Sequence, residues 1–201
     1  MILGTTARLP SAFSIFTAAA IFACALSLSG CIPLAVTGVA TTAVVATDRR
    51  SAGAQIDDEL IEDKTAVQVL ERFKGSDVHV NVTSYNGNVL LTGEVPFDSV
   101  RTEIGEIAGR MPKARSVQNE LLIGAATSLV SRSNDTLITS KVKARFVESN
   151  KFQINHVKVV TERGLVYLLG VVRPEEGNAA AEIARTTSGV QRVVKVFEYI
   201  H

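Results

Sequence analysis

Apolar residues recur along this chain in two alternating rhythms, and the alternation happens twice. Over residues 57–74 and again over 135–150 they fall at helical spacing within charged runs, as Ile138, Val142 and Phe146 do at i, i+4 and i+8. Each stretch predicts a helix, the second with Asn134 or Asp135 as its cap. The rhythm then shortens to two. Val78, Val80 and Val82 alternate with polar residues, Asn86-Gly87 supplies a tight turn tolerant of positive φ, and Val89, Leu91 and Gly93 return. Later in the chain Val157 and Val159 lead through Arg163-Gly164 back to Val166 and Gly170. Both patterns predict β-hairpins. A further helix follows each, with Val100, Ile104, Ile107, Ala108 and Met111 on one face in the first instance and Pro174 suited to the opening position in the second. A last strand closes each series, over residues 115–123 and 191–200.

The duplication is visible residue by residue. "YNGNVLLTGEV" (85–95) and "ERGLVYLLGVV" (162–172) align without a gap at an offset of 77. At the same offset Asp58, Leu60, Ile61 and Lys64 fall on Asp135, Leu137, Ile138 and Lys141, and His79 falls on His156. Downstream the register slips by one, so that "EIA" at 106–108 meets "EIA" at 182–184. The chain therefore carries two copies of a helix-strand-strand-helix-strand unit. Both helices must cover one face of the three-stranded sheet to bury its valines, which makes each unit a small α+β sandwich. The expected tandem domains span residues 55–124 and 134–201, joined by a linker over 125–133.

The amino terminus has a different character. Arg8, an apolar run over residues 13–28 and the small residues Ser29 and Gly30 have the layout of a secretory signal peptide over residues 1–30. Leu28-Ser29-Gly30-Cys31 resembles the lipobox of bacterial lipoproteins, in which the cysteine sulfur takes a diacylglycerol and the signal is cut just before it. Cys24 lies inside the removed segment, so Cys31 is left without a partner and a disulfide framework is excluded. The charge-free stretch between Arg8 and Asp48 has the length for a membrane span, but Pro33, Gly38 and several threonines after Cys31 argue against that reading. Residues 31–54, mainly Ala, Thr, Val and Gly, read as a lipidated flexible tether with a typical reach of roughly 25–30 Å. The residue after the cysteine is Ile32, not the aspartate associated with inner-membrane retention. The lipoprotein resemblance thus implies the periplasmic face of the outer membrane.

Charge narrows the function. Removing residues 1–30 takes away only Arg8 from the 21 Lys plus Arg, leaving a neutral chain against 20 Asp plus Glu, a poor general nucleic-acid binder. Three histidines and no spacing typical of a metal site, phosphate loop or nucleophile elbow give no catalytic or metal constellation and no cofactor. His79 and His156, at one repeat position, read as structural or surface residues. The two copies differ in sign: 10 basic and 13 acidic residues lie between Asp48 and Ser133, and 10 basic and 7 acidic between Asn134 and His201. If Ile138, Val142 and Phe146 face the sheet, Leu137, Lys141 and Arg145 share an outer stripe with Lys143 on its flank. Thr136, Leu137, Lys141, Lys143 and Arg145 are the candidate phospholipid contacts. An alternative is that a sheet edge or the acidic first unit docks on a protein.

The element order and the hairpin with Gly-Asx/Leu-Val-x-Leu-x-Gly resemble the BON domain of bacterial envelope and osmotic-stress proteins. The lipobox, "TDRRSAGAQIDD" at 47–58 and "SNDTLITSKV" at 133–142 extend the similarity to the outer-membrane lipoproteins with two such domains. The resemblance implies a non-enzymatic protein that supports envelope integrity, associates with anionic phospholipid and is linked to outer-membrane β-barrel assembly or division proteins.

Overall fold

The computed structural model of the chain describes residues 48–201; the expected signal peptide, Cys31 and most of the tether lie outside them. Helix α1 (Ala52–Arg72) is followed by strands β1 (His79–Tyr85) and β2 (Asn88–Val95), helix α2 (Asp98–Gly109) and two short strands, β3 (Ser116–Asn119) and β4 (Leu122–Ile123). The order repeats with α3 (Leu129–Ser149), a single 3₁₀ turn, β5 (Val157–Glu162), β6 (Leu165–Val172), α4 (Pro174–Arg185) and β7 (Arg192–Tyr199). In each sheet the second strand is central, antiparallel to the first and parallel to the last. The last strand of the first domain is broken at Glu120 and Leu121, and both of its pieces lie along β2.

Both first helices begin earlier than their apolar periodicity suggests. Ser51 caps α1, its Oγ accepting from the Ala54 N–H, and Ser128 caps α3 in the same way through the Ser131 N–H. Small residues in the first turn of α1, and Leu129 and Val130 exposed in that of α3, hide these turns from any search for a buried stripe. Two expectations change accordingly. The second half of the stretch 125–133 is helical and not linker, and the tether ends before residue 54. Asn134 and Asp135 lie inside α3 instead of capping it.

Asp58 and Asp135 instead hold the hairpin turns. Asp135 accepts from the Arg163 and Gly164 N–H groups at 2.9 and 2.8 Å. Asp58 accepts from Asn86 and Gly87 at 2.7 and 2.8 Å, and also from the Ser84 hydroxyl. Both turn pairs have positive φ, 53° and 75° at Asn86-Gly87 and 52° and 74° at Arg163-Gly164. That conformation points two adjacent N–H groups the same way, toward one carboxylate. Gly93 and Gly170 meet a separate demand: a Cβ at either would collide with the carbonyl oxygen of the histidine across the hairpin, His79 or His156.

Each domain has its own core between helices and sheet. Ile61, Val69, Val89, Leu91, Val95, Ile104 and Ala108 build the first. Ile138, Val142 and Phe146 of α3, all buried as their spacing predicts, anchor the second against Val157, Val166 and Leu168. A third cluster joins the domains. Tyr85 and Leu90, on the sheet face away from the first core, pack with Tyr167, Leu169 and Val171. The central strands β2 and β6 are thus buried on both faces, and no residue from Val89 to Val95 or from Val166 to Val172 is exposed. Polar contacts surround the cluster. Lys158 reaches Glu62 at 2.7 Å, and Arg115 and Asn86 converge on Glu198. Arg49 bridges to Glu176 and the Val171 carbonyl.

Candidate functional site

Along α3 the core-facing residues leave the remaining surface to be shared by two separate faces. Leu137 is 59% exposed and Lys141 projects beside it, one turn on. Thr136 and Lys143 are exposed too, but residues two apart on a helix project about 160° apart, so Lys143 stands on the far side of the helix from Lys141. Arg145 departs from the expected stripe. It is half-buried, and its Nη1 donates to the Ile183 carbonyl and to the Thr187 hydroxyl, both at 2.8 Å. A guanidinium placed there satisfies a carbonyl in the last turn of α4 and meets the negative end of that helix. The five candidates therefore divide into Leu137 with Lys141 on one face, Thr136 with Lys143 on another, and Arg145 holding α4.

Comparison of the repeats shows what distinguishes the Leu137 face. Leu60 and Lys64 of α1 occupy the positions of Leu137 and Lys141. The acidic neighbours Asp57, Glu59, Glu62 and Asp63 of α1 become Asn134, Thr136, Thr139 and Ser140 in α3. The second helix has lost acids more than it has gained bases. Between Asp135, which is buried, and Glu148 it presents no carboxylate. Helix α1 carries a different surface, on which Ile56, Leu60, Val67 and Leu70 are 59, 45, 53 and 72% exposed among acidic residues.

The face of α3 bearing Thr136 and Lys143 borders a cleft of about 530 Å³ that also reaches His79, Asn81 and Glu162. Here the two domains bring together groups that lie far apart in sequence. His79 Nδ1 is 3.0 Å from Glu94 Oε2, and Asn81 Nδ2 donates to Glu162 Oε2 at 2.8 Å. His79, Glu94 and Glu162 each place one potential donor atom within 4.8 Å of the others. Burial pushes the Glu162 carboxyl up, and nearby Glu94 and Asp135 add to the rise, against the hydrogen bond from Asn81 and the nearby His79. No sequence spacing announces this cluster. The single signal is Glu94, a charge inside the buried strand β2, where the second repeat has Val171.

A second polar centre organises the amino-terminal edge. Arg50 bonds Asp48 and Asp58 and lies 4.0 Å from the centroid of the Tyr85 ring. Burial pushes the Asp58 carboxyl up, but the hydrogen bonds from Ser84, Gly87, Asn86 and Arg50 outweigh it and hold the group below the ordinary carboxylate range. Burial likewise pushes the Tyr85 and Tyr167 phenols up to about 12, so both rings remain neutral in the junction between the domains. Among the described residues no helix is long and apolar enough to cross a membrane.

Two copies of one α+β sandwich, each with its hairpin turn held by an aspartate of the first helix, define a tandem-domain protein. The chain belongs to the BON-domain family, whose model matches residues 57–125 and 134–200. It is similar to the outer membrane lipoprotein DolP of Haemophilus influenzae, with 40% identity over 175 residues, 86% of this chain and 90% of that protein. It is 34% identical over 154 residues to the 21 kDa hemolysin of Actinobacillus pleuropneumoniae, covering 76% of this chain and 79% of that one. Osmotically-inducible protein Y of Escherichia coli is 27% identical over 141 residues, covering 69% of this chain and 70% of its own length.

Proposed function

We propose that this protein is a non-enzymatic outer-membrane lipoprotein, anchored through Cys31 on the periplasmic side, whose second BON domain rests α3 on anionic phospholipid in support of envelope integrity. The observation that carries the reading is the exposed Leu137 beside Lys141, on a helix in which four acidic residues of the sister helix are replaced by Asn134, Thr136, Thr139 and Ser140. An apolar side chain that enters the headgroup region and a lysine at its edge add apolar burial to attraction for an anionic surface. Confinement by a lipid anchor makes weak intrinsic affinity effective, because the module sees a high local concentration of membrane. Arg145 is excluded from the contact set, since its side chain is committed to α4.

Co-sedimentation of residues 48–201 with vesicles tests the proposal. Binding is expected to rise with the fraction of anionic lipid and fall with salt. Lys141→Glu and Leu137→Glu should each weaken it while leaving thermal unfolding unchanged. Equal binding by wild type and both variants refutes the assignment.

A second reading rests on α1. Its exposed apolar residues among acids suit a protein partner with an apolar stripe and basic flanks, such as an outer-membrane β-barrel assembly or division protein. A photo-crosslinking residue at Val67 that captures one defined envelope protein, together with absence of vesicle binding, would favour it over the lipid contact.

A further inference from the structure

We propose that His79, Glu94 and Glu162 form a divalent transition-metal site at the junction of the two BON domains, with Zn²⁺ as the fitting ion, and that the bound ion clamps the domains together. His79 and Glu94 are cross-strand partners on β1 and β2, whereas Glu162 ends β5 of the other domain. Their donor atoms already lie within 4.8 Å of one another. One imidazole nitrogen and two carboxylate oxygens suit zinc more than calcium or magnesium, which favour oxygen-only shells. Donor atoms around tetrahedral zinc stand roughly 3.4 Å apart, so the set must tighten on binding. Glu162, which borders the cleft, has room to move inward.

An independent observation points to a cation. Glu94 is fully buried, and its Oε1 accepts no hydrogen bond. Arg163 Nη1 stands 3.7 Å from it, beyond hydrogen-bond distance, on a side chain nearly half exposed. A buried carboxylate oxygen without a donor is costly, and a metal ion supplies the missing partner. The other oxygen of Glu94 is held by the Thr127 N–H at 3.1 Å, which fixes the carboxylate from outside the cluster. Asn81 does the same for Glu162. The set occurs once: the repeat places Val171 opposite Glu94 and Tyr85 opposite Glu162, so it is not a by-product of duplication. The adjoining cleft of about 530 Å³, whose lining includes Arg132 and Lys143, provides a path for the ion and room for a water ligand.

The full chain, purified in detergent and stripped of metal, would be titrated with Zn²⁺ against a chromophoric chelator. One ion per chain is expected, with affinity reduced at least about tenfold in His79→Gln, Glu94→Gln and Glu162→Gln, and unchanged in His201→Gln. Zinc should raise the thermal unfolding midpoint of the wild type but not of the three variants. Glu162→Gln keeps an oxygen for the Asn81 bond, so it decides the matter if Glu94→Gln does not fold. Co²⁺ in place of zinc should show no thiolate charge-transfer band, which separates this site from binding at a cysteine. Absence of zinc uptake, uptake retained by Glu162→Gln and His79→Gln, or a thiolate band would overturn the proposal.

Discussion

Asp135 looks from its neighbours like the start of a helix, and it proves to be the residue on which a hairpin depends. An aspartate ahead of a periodic apolar run is the usual sign of a cap, but the same side chain one and a half turns into α3 reaches two turn N–H groups. Asp135→Ala should leave both donors unsatisfied and destabilise the protein by roughly 2–4 kcal/mol in chemical denaturation, with a smaller loss for Asn. The sister residue Asp58 adds a pH dependence. Its folded-state pKa lies below its unfolded value, so its contribution is fully present above about pH 4 and is lost as pH falls through the folded value. Asp58→Asn should therefore unfold more easily at neutral pH and lose less further stability on acidification, as read from unfolding midpoints across that range.

At the scale of elements, the two first helices share geometry and differ in task. Each begins at a capping serine, each sends an aspartate to a hairpin, and each buries one stripe on its own sheet. What differs is the outer surface. Lys141→Glu should lower vesicle affinity by about 1 kcal/mol or more and leave thermal stability unchanged. Arg145→Glu should instead lower the unfolding midpoint, because it removes the donor to the Thr187 hydroxyl and one of the donors to the Ile183 carbonyl, and sets a negative charge at the carboxyl end of α4. The contrast between these two variants, one turn apart, separates the lipid-facing surface from the helix-supporting one. Ser128→Ala, which removes the cap, should cost about 1 kcal/mol without affecting zinc or lipid.

The whole molecule behaves as one body to the extent that the third cluster holds. Leu90 and Tyr167 are among its fully buried members, and they lie on the sheet faces away from their own helices. Calorimetry should show a single cooperative transition for residues 48–201. Leu90→Ala, which opens a cavity between the domains at a cost of roughly 2–5 kcal/mol, should separate that transition into two or lower it as a whole. Two well-separated transitions in the wild type would mean that the junction contributes little to stability. Arg49 and Arg50 belong to the same scale. They fall within the expected tether, but Arg49 reaches the second domain and Arg50 stacks on Tyr85, so both belong to the folded body.

The duplicated element order, the helix faces packed on each core and the glycines of the turns are legible along the chain alone. These features rest on local causes: the 3.6 and 2.0 periodicities, the steric permission for positive φ, and the repetition that lets one copy check the other. The chain also carries the family resemblance, through the hairpin motif and the lipobox. The continuous apolar run "LVYLLGVV" held a further signal, since a strand with no polar alternation is buried on both sides, but it does not say against what. That Tyr85 and Leu90 cover β6, that Arg145 turns from the outer face to α4, and that Glu162 comes to His79 and Glu94 from another domain is fixed by the packing of the folded chain. Each of these depends on how two separately folded surfaces meet. That meeting is set by the summed shape and polarity of both faces, which no spacing along a single chain records.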